Sequence, residues 1–112
     1  MRVYISGPIT NCKDYKENFA RAEKVLRARG FEVVNPAYFE EFLPQLTYEE
    51  YMTHDLCLLD LCNAVYMLTN WQQSLGANRE YGYALGKGLI IWEEPIGRND
   101  EIKADKKPRI FT

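Results

Sequence analysis

Four short apolar clusters, spaced by stretches long enough for a helix, limit the folds open to this chain. They are Val3-Tyr4-Ile5, Phe31-Glu32-Val33-Val34, Ala64-Val65-Tyr66-Met67-Leu68 and Leu89-Ile90-Ile91-Trp92. Each is nearly unbroken in its apolar character, as strands covered on both faces must be. The intervening segments read as helices. Residues 13–29 carry an apolar side made of Tyr15, Phe19, Ala22 and Leu26, with Gly30 as the stop. Thr47-Tyr48-Glu49-Glu50 has the spacing of a capping box and opens a helix running to about Cys62. Residues 76–87 form a third helix, ended by Gly88. Strand and helix in alternation require parallel strands joined by right-handed crossovers. The expected fold is therefore α/β: a single small domain with an open, doubly wound parallel sheet in flavodoxin-like order.

At 112 residues the chain has the size of one domain. We divide it into an α/β domain at 1–94 and a charged tail at 95–112. The tail reads either as a disordered end, with Arg109-Ile110-Phe111 as a fifth edge strand, or as a segment contacting a partner subunit. With 46% hydrophobic and 27% charged residues the chain is too apolar to be disordered, and no apolar run is long enough for a membrane span. The opening residues enter a strand directly, and Cys12, Cys57 and Cys62 form no CxxC pair. A cytoplasmic protein with reduced thiols is expected. Charge is unevenly placed. No Lys or Arg lies between Arg29 and Arg79, whereas Glu32, Glu40, Glu41, Glu49, Glu50, Asp55 and Asp60 all do. Such a surface repels a polyanion, so nucleic acid is not an expected partner.

Ligands of open α/β sheets bind beyond the carboxyl ends of the strands where strand order reverses. Here that means the loops after the first and third strands, Ser6-Gly7-Pro8-Ile9-Thr10 and residues 69–76. Two carboxylates fall close to them. Glu80 is placed in about the first turn of the third helix, where free N–H groups should keep it ionised. It reads either as a nucleophile or as electrostatic capping. Asp55 falls inside the apolar arc of the second helix, formed by Tyr48, Tyr51, Met52, Leu56, Leu58, Leu59 and Cys62. It reads either as a buried cap or as an acid–base group facing a pocket, with burial raising its pKa. His54 is expected on the polar side of that helix, and no ligand spacing for a metal accompanies it or Cys57.

Taken together, Tyr4-Ile5-Ser6-Gly7-Pro8-Ile9, Asp55-Leu56, and Ser74-Leu75-Gly76 leading to Glu80-Tyr81-Gly82 resemble the nucleoside 2-deoxyribosyltransferase superfamily. The resemblance spans residues 2–92. It is greatest to the 2'-deoxynucleoside 5'-phosphate N-hydrolases and, among branches, to small phage and bacterial proteins of unassigned substrate. It implies that Glu80 attacks the anomeric carbon, that Asp55 protonates the leaving base, and that Tyr4 stands near the nucleophile. It further implies that Ser6, Gly7, Pro8 and Ile9 line the sugar and phosphate, and that Ser74, beside Gly76, faces the 5' position where nucleoside-specific relatives have aspartate. Where the hydrolases carry a phosphate-holding arginine in the first loop, residues 9–14 offer only Lys13, leaving Arg79 or the tail's Lys103, Lys106, Lys107 and Arg109 as substitutes. No metal or organic cofactor is implied. A homodimer or higher homo-oligomer is.

The expectation is thus an N-glycosidase or glycosyl transferase of a nucleoside or, preferably, its 5'-monophosphate. A non-catalytic nucleotide-binding module and an N-glycosidase of a larger nucleotide such as NAD stand as alternatives.

Overall fold

The computed structural model describes residues 1–42 and 45–95. Strand β1 (Arg2–Ser6) leads to helix α1 (Tyr15–Ala28), then β2 (Glu32–Val34), a short helix α2 (Ala37–Phe42), α3 (Tyr48–Asp60), β3 (Ala64–Met67), a 3-10 turn (Trp71–Gln73), α4 (Leu75–Lys87) and β4 (Ile90–Glu93). The strands form one parallel sheet in the order β2-β1-β3-β4. Tyr4 is level with Val34 on one side and Val65 on the other, and Val65 with Ile91. This is the doubly wound, flavodoxin-like α/β arrangement expected from the sequence, and its switch point lies between β1 and β3.

Successive side chains of a strand point to opposite faces, and this alternation divides the core in two. Val3, Ile5, Ala64, Tyr66 and Leu68 pack with Phe19, Ala22 and Leu26 of α1. Tyr4, Val65, Met67 and Ile91 pack with Leu59 of α3 and with Ala77 and Ala84 of α4. The predicted apolar face of α1 is the one that buries, through Phe19, Ala22 and Leu26. Helix α3 opens with the expected capping box: Thr47 Oγ1 accepts from Glu50 N at 3.2 Å, and Glu50 Oε1 accepts from Thr47 N at 2.8 Å. Gly88, with φ of 74°, closes α4 in the left-handed conformation that glycine adopts without penalty.

Helix α2 has no counterpart in the sequence reading. Asn35 Oδ1 accepts from Ala37 N at 3.0 Å, and Pro36 presets the first turn. Glu23 of α1 then fastens the helix, accepting from Asn35 Nδ2 at 3.0 Å and Tyr38 Oη at 2.8 Å. A six-residue helix has too few turns to show periodicity; these tertiary bonds select it. Among the described residues no helix is long and apolar enough to cross a membrane. The proposed edge strand at Arg109-Ile110-Phe111 and the rest of the tail from residue 96 lie outside the described residues.

Candidate active site

Tyr4 and Ser6 are two apart on β1, so both hydroxyls emerge on the face covered by α4. On α4, Ala77, Glu80 and Ala84 share the buried side. Glu80 therefore enters the sheet interface where the two hydroxyls await it. Tyr4 Oη donates to Glu80 Oε2 at 2.5 Å, and Ser6 Oγ donates to Oε1 at 2.6 Å. Each oxygen of the carboxylate is thereby fixed in place.

Helix α4 begins at Leu75, which puts Glu80 in its second turn rather than its first. That revises the expected electrostatics. Glu80 is only 5% exposed, and burial pushes its carboxyl up to about 7, against the two hydroxyl bonds that favour the ionised form. Asp55 adds to the upward push through its own charge. Tyr4 is wholly buried, and that burial together with the Glu80 charge holds its phenol well above the usual range, so it stays a donor.

Asp55 is buried between Met52 and Leu59, as the helical arc indicated, and its carboxyl faces a cavity. Burial raises it to about 6, with neighbouring His54 working in the opposite direction. His54 is not the surface residue expected. Its ring is half-buried, meets the edge of Phe39 with centroids 4.5 Å apart, and brings Nδ1 to 3.4 Å from Asp55 Oδ1. Helix α2, which supplies Phe39, is the reason. Cys57 is exposed, while burial raises the Cys62 thiol to about 11 and leaves it inert.

The cavity has a volume of about 540 Å³, within the range of small-molecule sites. Asp55 and Glu80 both line it, together with Gly7 and Ile9 from the loop after β1 and Ser74, Gly76 and Ala77 from the start of α4. It thus sits at the predicted switch point. Pro8, expected among the lining residues, stands outside the lining, and Tyr4 and Ser6 reach the cavity only through Glu80. The need for Gly7 is steric. A Cβ there would lie 2.7 Å from Leu68 Cβ, so a side chain would push the β1 loop off the end of β3. Ser74 caps α4, its Oγ accepting from Ala77 N at 3.1 Å, which leaves the hydroxyl hydrogen free to donate. Arg79 points elsewhere. It is paired with Glu49 at 3.0 and 3.2 Å and stacks over Tyr48 with its Cζ 5.8 Å from the ring centroid.

Two acidic residues that the sequence reading did not assign to a site bear on this one. Glu94, buried just past β4, accepts from Thr69 N and Oγ1 at 3.0 Å each and from Arg21 Nη2 at 2.9 Å, anchoring the loop that leads to Ser74. A carboxylate at the end of a predicted strand, level with the loops of the switch point, was the available signal. Glu40, on α2, lines the cavity.

The chain belongs to the family described as DUF4406, a domain of unknown function, whose model matches residues 1–93. No curated protein sequence matches it. Among solved structures, the 2-deoxyribosyltransferase of the psychrotolerant bacterium Bacillus psychrosaccharolyticus is similar, with a TM-score of 0.64 and 20% identity over 88% of this chain and 77% of that one. The two share a fold.

Proposed function

We propose that this protein cleaves or transfers the N-glycosidic bond of a nucleoside or its 5'-monophosphate, with Glu80 as nucleophile and Asp55 as proton donor. One observation carries the reading. A carboxylate clamped through both oxygens by Tyr4 and Ser6 shares a cavity of nucleoside size with a second buried carboxylate. Breaking the C1'–N bond builds positive charge on the sugar and negative charge on the departing base. Glu80 answers the first by attacking C1' and forming a glycosyl ester. Asp55 answers the second by giving its proton to the base, after which it can take a proton from the water or second base that releases the sugar.

Two carboxyls raised to about 7 and about 6 keep one proton between them over that interval; it rests mainly on Glu80, the weaker acid, so the reactive form, with Glu80 ionised and Asp55 protonated, is the minor arrangement of the singly protonated pair. Tyr4 and Ser6 are positioning residues. Their hydroxyls aim the carboxylate and favour its charged state. The fold shared with a 2-deoxyribosyltransferase supports the same chemistry.

The 5'-monophosphate is the preferred form of the substrate in this reading, because Ser74 presents an uncharged donor at a helix start that favours anions. We also propose a homo-oligomer of cytoplasmic location, needing no cofactor. The deciding experiment incubates the purified protein with a panel of nucleosides and 5'-monophosphates and follows free base by chromatography. Release of base by the parent and its loss in Glu80→Gln is the expected result. Release at the parental rate by Glu80→Gln would overturn the mechanism.

A further inference from the structure

The lysine- and arginine-free stretch of residues 30–78 supplies the cavity with one carboxylate more than the reaction uses. Glu40 reaches it from α2, alongside Tyr51, Met52 and Asp55 of α3. Its place within the cavity is defined by its neighbours. Phe39, next to Glu40 on α2, meets the ring of His54 with centroids 4.5 Å apart, and His54 Nδ1 lies 3.4 Å from Asp55 Oδ1. Glu40 therefore stands on the Asp55 side of the cavity, and its charge acts on Asp55. Lys16 of α1 does not neutralise it, being engaged by the adjacent Glu41 at 2.6 Å. Among the described residues lining the cavity there is no Lys or Arg.

We propose that Glu40 is a specificity-determining residue that selects substrates whose base carries an exocyclic amino group beside the ring nitrogen protonated by Asp55. This rests on the glycosidase reading, in which Asp55 marks the leaving-group end. An ionised carboxylate only accepts hydrogen bonds. Facing an amino group it gains a charge-assisted bond; facing a carbonyl oxygen in the same place it meets lone pairs with lone pairs. The C1'–N electron pair passes into the base and the proton of Asp55 follows it to the ring nitrogen, so the base leaves neutral and its amino group keeps the bond to Glu40. Adenine and cytosine present the amino pattern, hypoxanthine and uracil the carbonyl one.

The test uses matched pairs, 2'-deoxyadenosine with 2'-deoxyinosine and 2'-deoxycytidine with 2'-deoxyuridine. Binding is measured by calorimetry and base release by chromatography, for the parent and for Glu40→Gln. The parent should favour the amino member of a pair by at least about tenfold. Glutamine, whose amide both donates and accepts, should bring the ratio to within about threefold of unity. Glu40 is partly exposed on a short helix and is not part of the core, so a folded variant is the expectation, checked by its melting temperature. Equal preference in the parent, or an amino preference that survives Glu40→Gln, overturns the inference while leaving glycoside cleavage intact. Discrimination in binding that follows Glu40 without any base release would retain the inference and remove the catalytic reading instead. Failure to bind either member of both pairs removes the inference.

Discussion

Glu80 and Asp55, which both line the cavity, sit in contrasting surroundings. Glu80 lies between sheet and helix, with a phenol and a serine hydroxyl each donating to one of its oxygens. Asp55 lies on α3, with His54 Nδ1 3.4 Å from its carboxyl, and lines the cavity. One is fixed in orientation by two donors and the other faces the cavity. A nucleophile benefits from the first condition, since attack needs a lone pair held on a line toward the sugar carbon. A proton donor needs the second, since its proton must be free to leave toward the base. In the proposed mechanism, two carboxyl groups are thus given unlike work by their neighbours.

The largest effect should come from removing one side of the contrast. Glu80→Gln keeps shape but loses charge and nucleophilicity, so turnover should fall at least about a thousandfold in a folded protein. Its stability should change as well, in a calculable direction. The folded-state pKa of Glu80, about 7, lies above the unfolded value, so the native state holds the proton longer. Stability from this group is full at acid pH and declines as pH rises from about 4.5 through 7, by an upper limit of roughly 3 kcal/mol. Melting temperatures of parent and Glu80→Gln between pH 5 and 8 should diverge with rising pH, the parent falling further. Parallel curves would show that Glu80 carries no such penalty.

Next comes the other side. Asp55→Asn should cost about a hundredfold with ordinary bases and much less with activated leaving groups that depart unprotonated. A loss equal for all leaving groups, accompanied by a large fall in melting temperature, would make Asp55 a structural cap instead. For the parent, kcat against pH should be bell-shaped with its centre at about 6.5, between the two raised carboxyls. Tyr4→Phe sharpens the contrast by making Glu80 more like Asp55. With one donor gone, the pKa of Glu80 should move up by about half a unit to one unit, so less of it is ionised and activity near neutrality should drop about tenfold. An unmoved profile would deny the phenol any part in setting the charge of Glu80.

The smallest effect tests the 5' end. Ser74→Asp preserves the cap on α4, because aspartate caps as well as serine does. It places a negative charge beside the cavity and should lower kcat/KM for a 5'-monophosphate, relative to its nucleoside, by about fivefold, equivalent to about 1 kcal/mol. A ratio unchanged by the substitution would mean that Ser74 does not read that position.

How much of this was written in the sequence follows from the range over which each signal acts. Strand clusters, the Thr47–Glu50 capping box, the Gly30 and Gly88 stops and the inward face of Asp55 are local patterns, and local patterns were enough to place the switch point. The resemblance drew attention to Tyr4, Ser6 and Ser74. It could not state that Tyr4 and Ser6 divide the two oxygens of Glu80 between them, because those residues lie 76 and 74 positions from it. Helix α2 escaped because six residues show no period. Glu40 as a cavity wall and Phe39 against His54 escaped with it. Glu80 was expected to stay charged by its nearness to a helix start. In the structure it is the sixth residue of α4, in the second turn, where burial outweighs the dipole. The sequence by itself determined which segments would be strands and helices, and hence where a site would form, since periodicity and capping act within a few residues. Tertiary structure alone decided the charge each carboxylate carries and which groups touch it, because desolvation and hydrogen bonding depend on elements brought together from opposite ends of the chain.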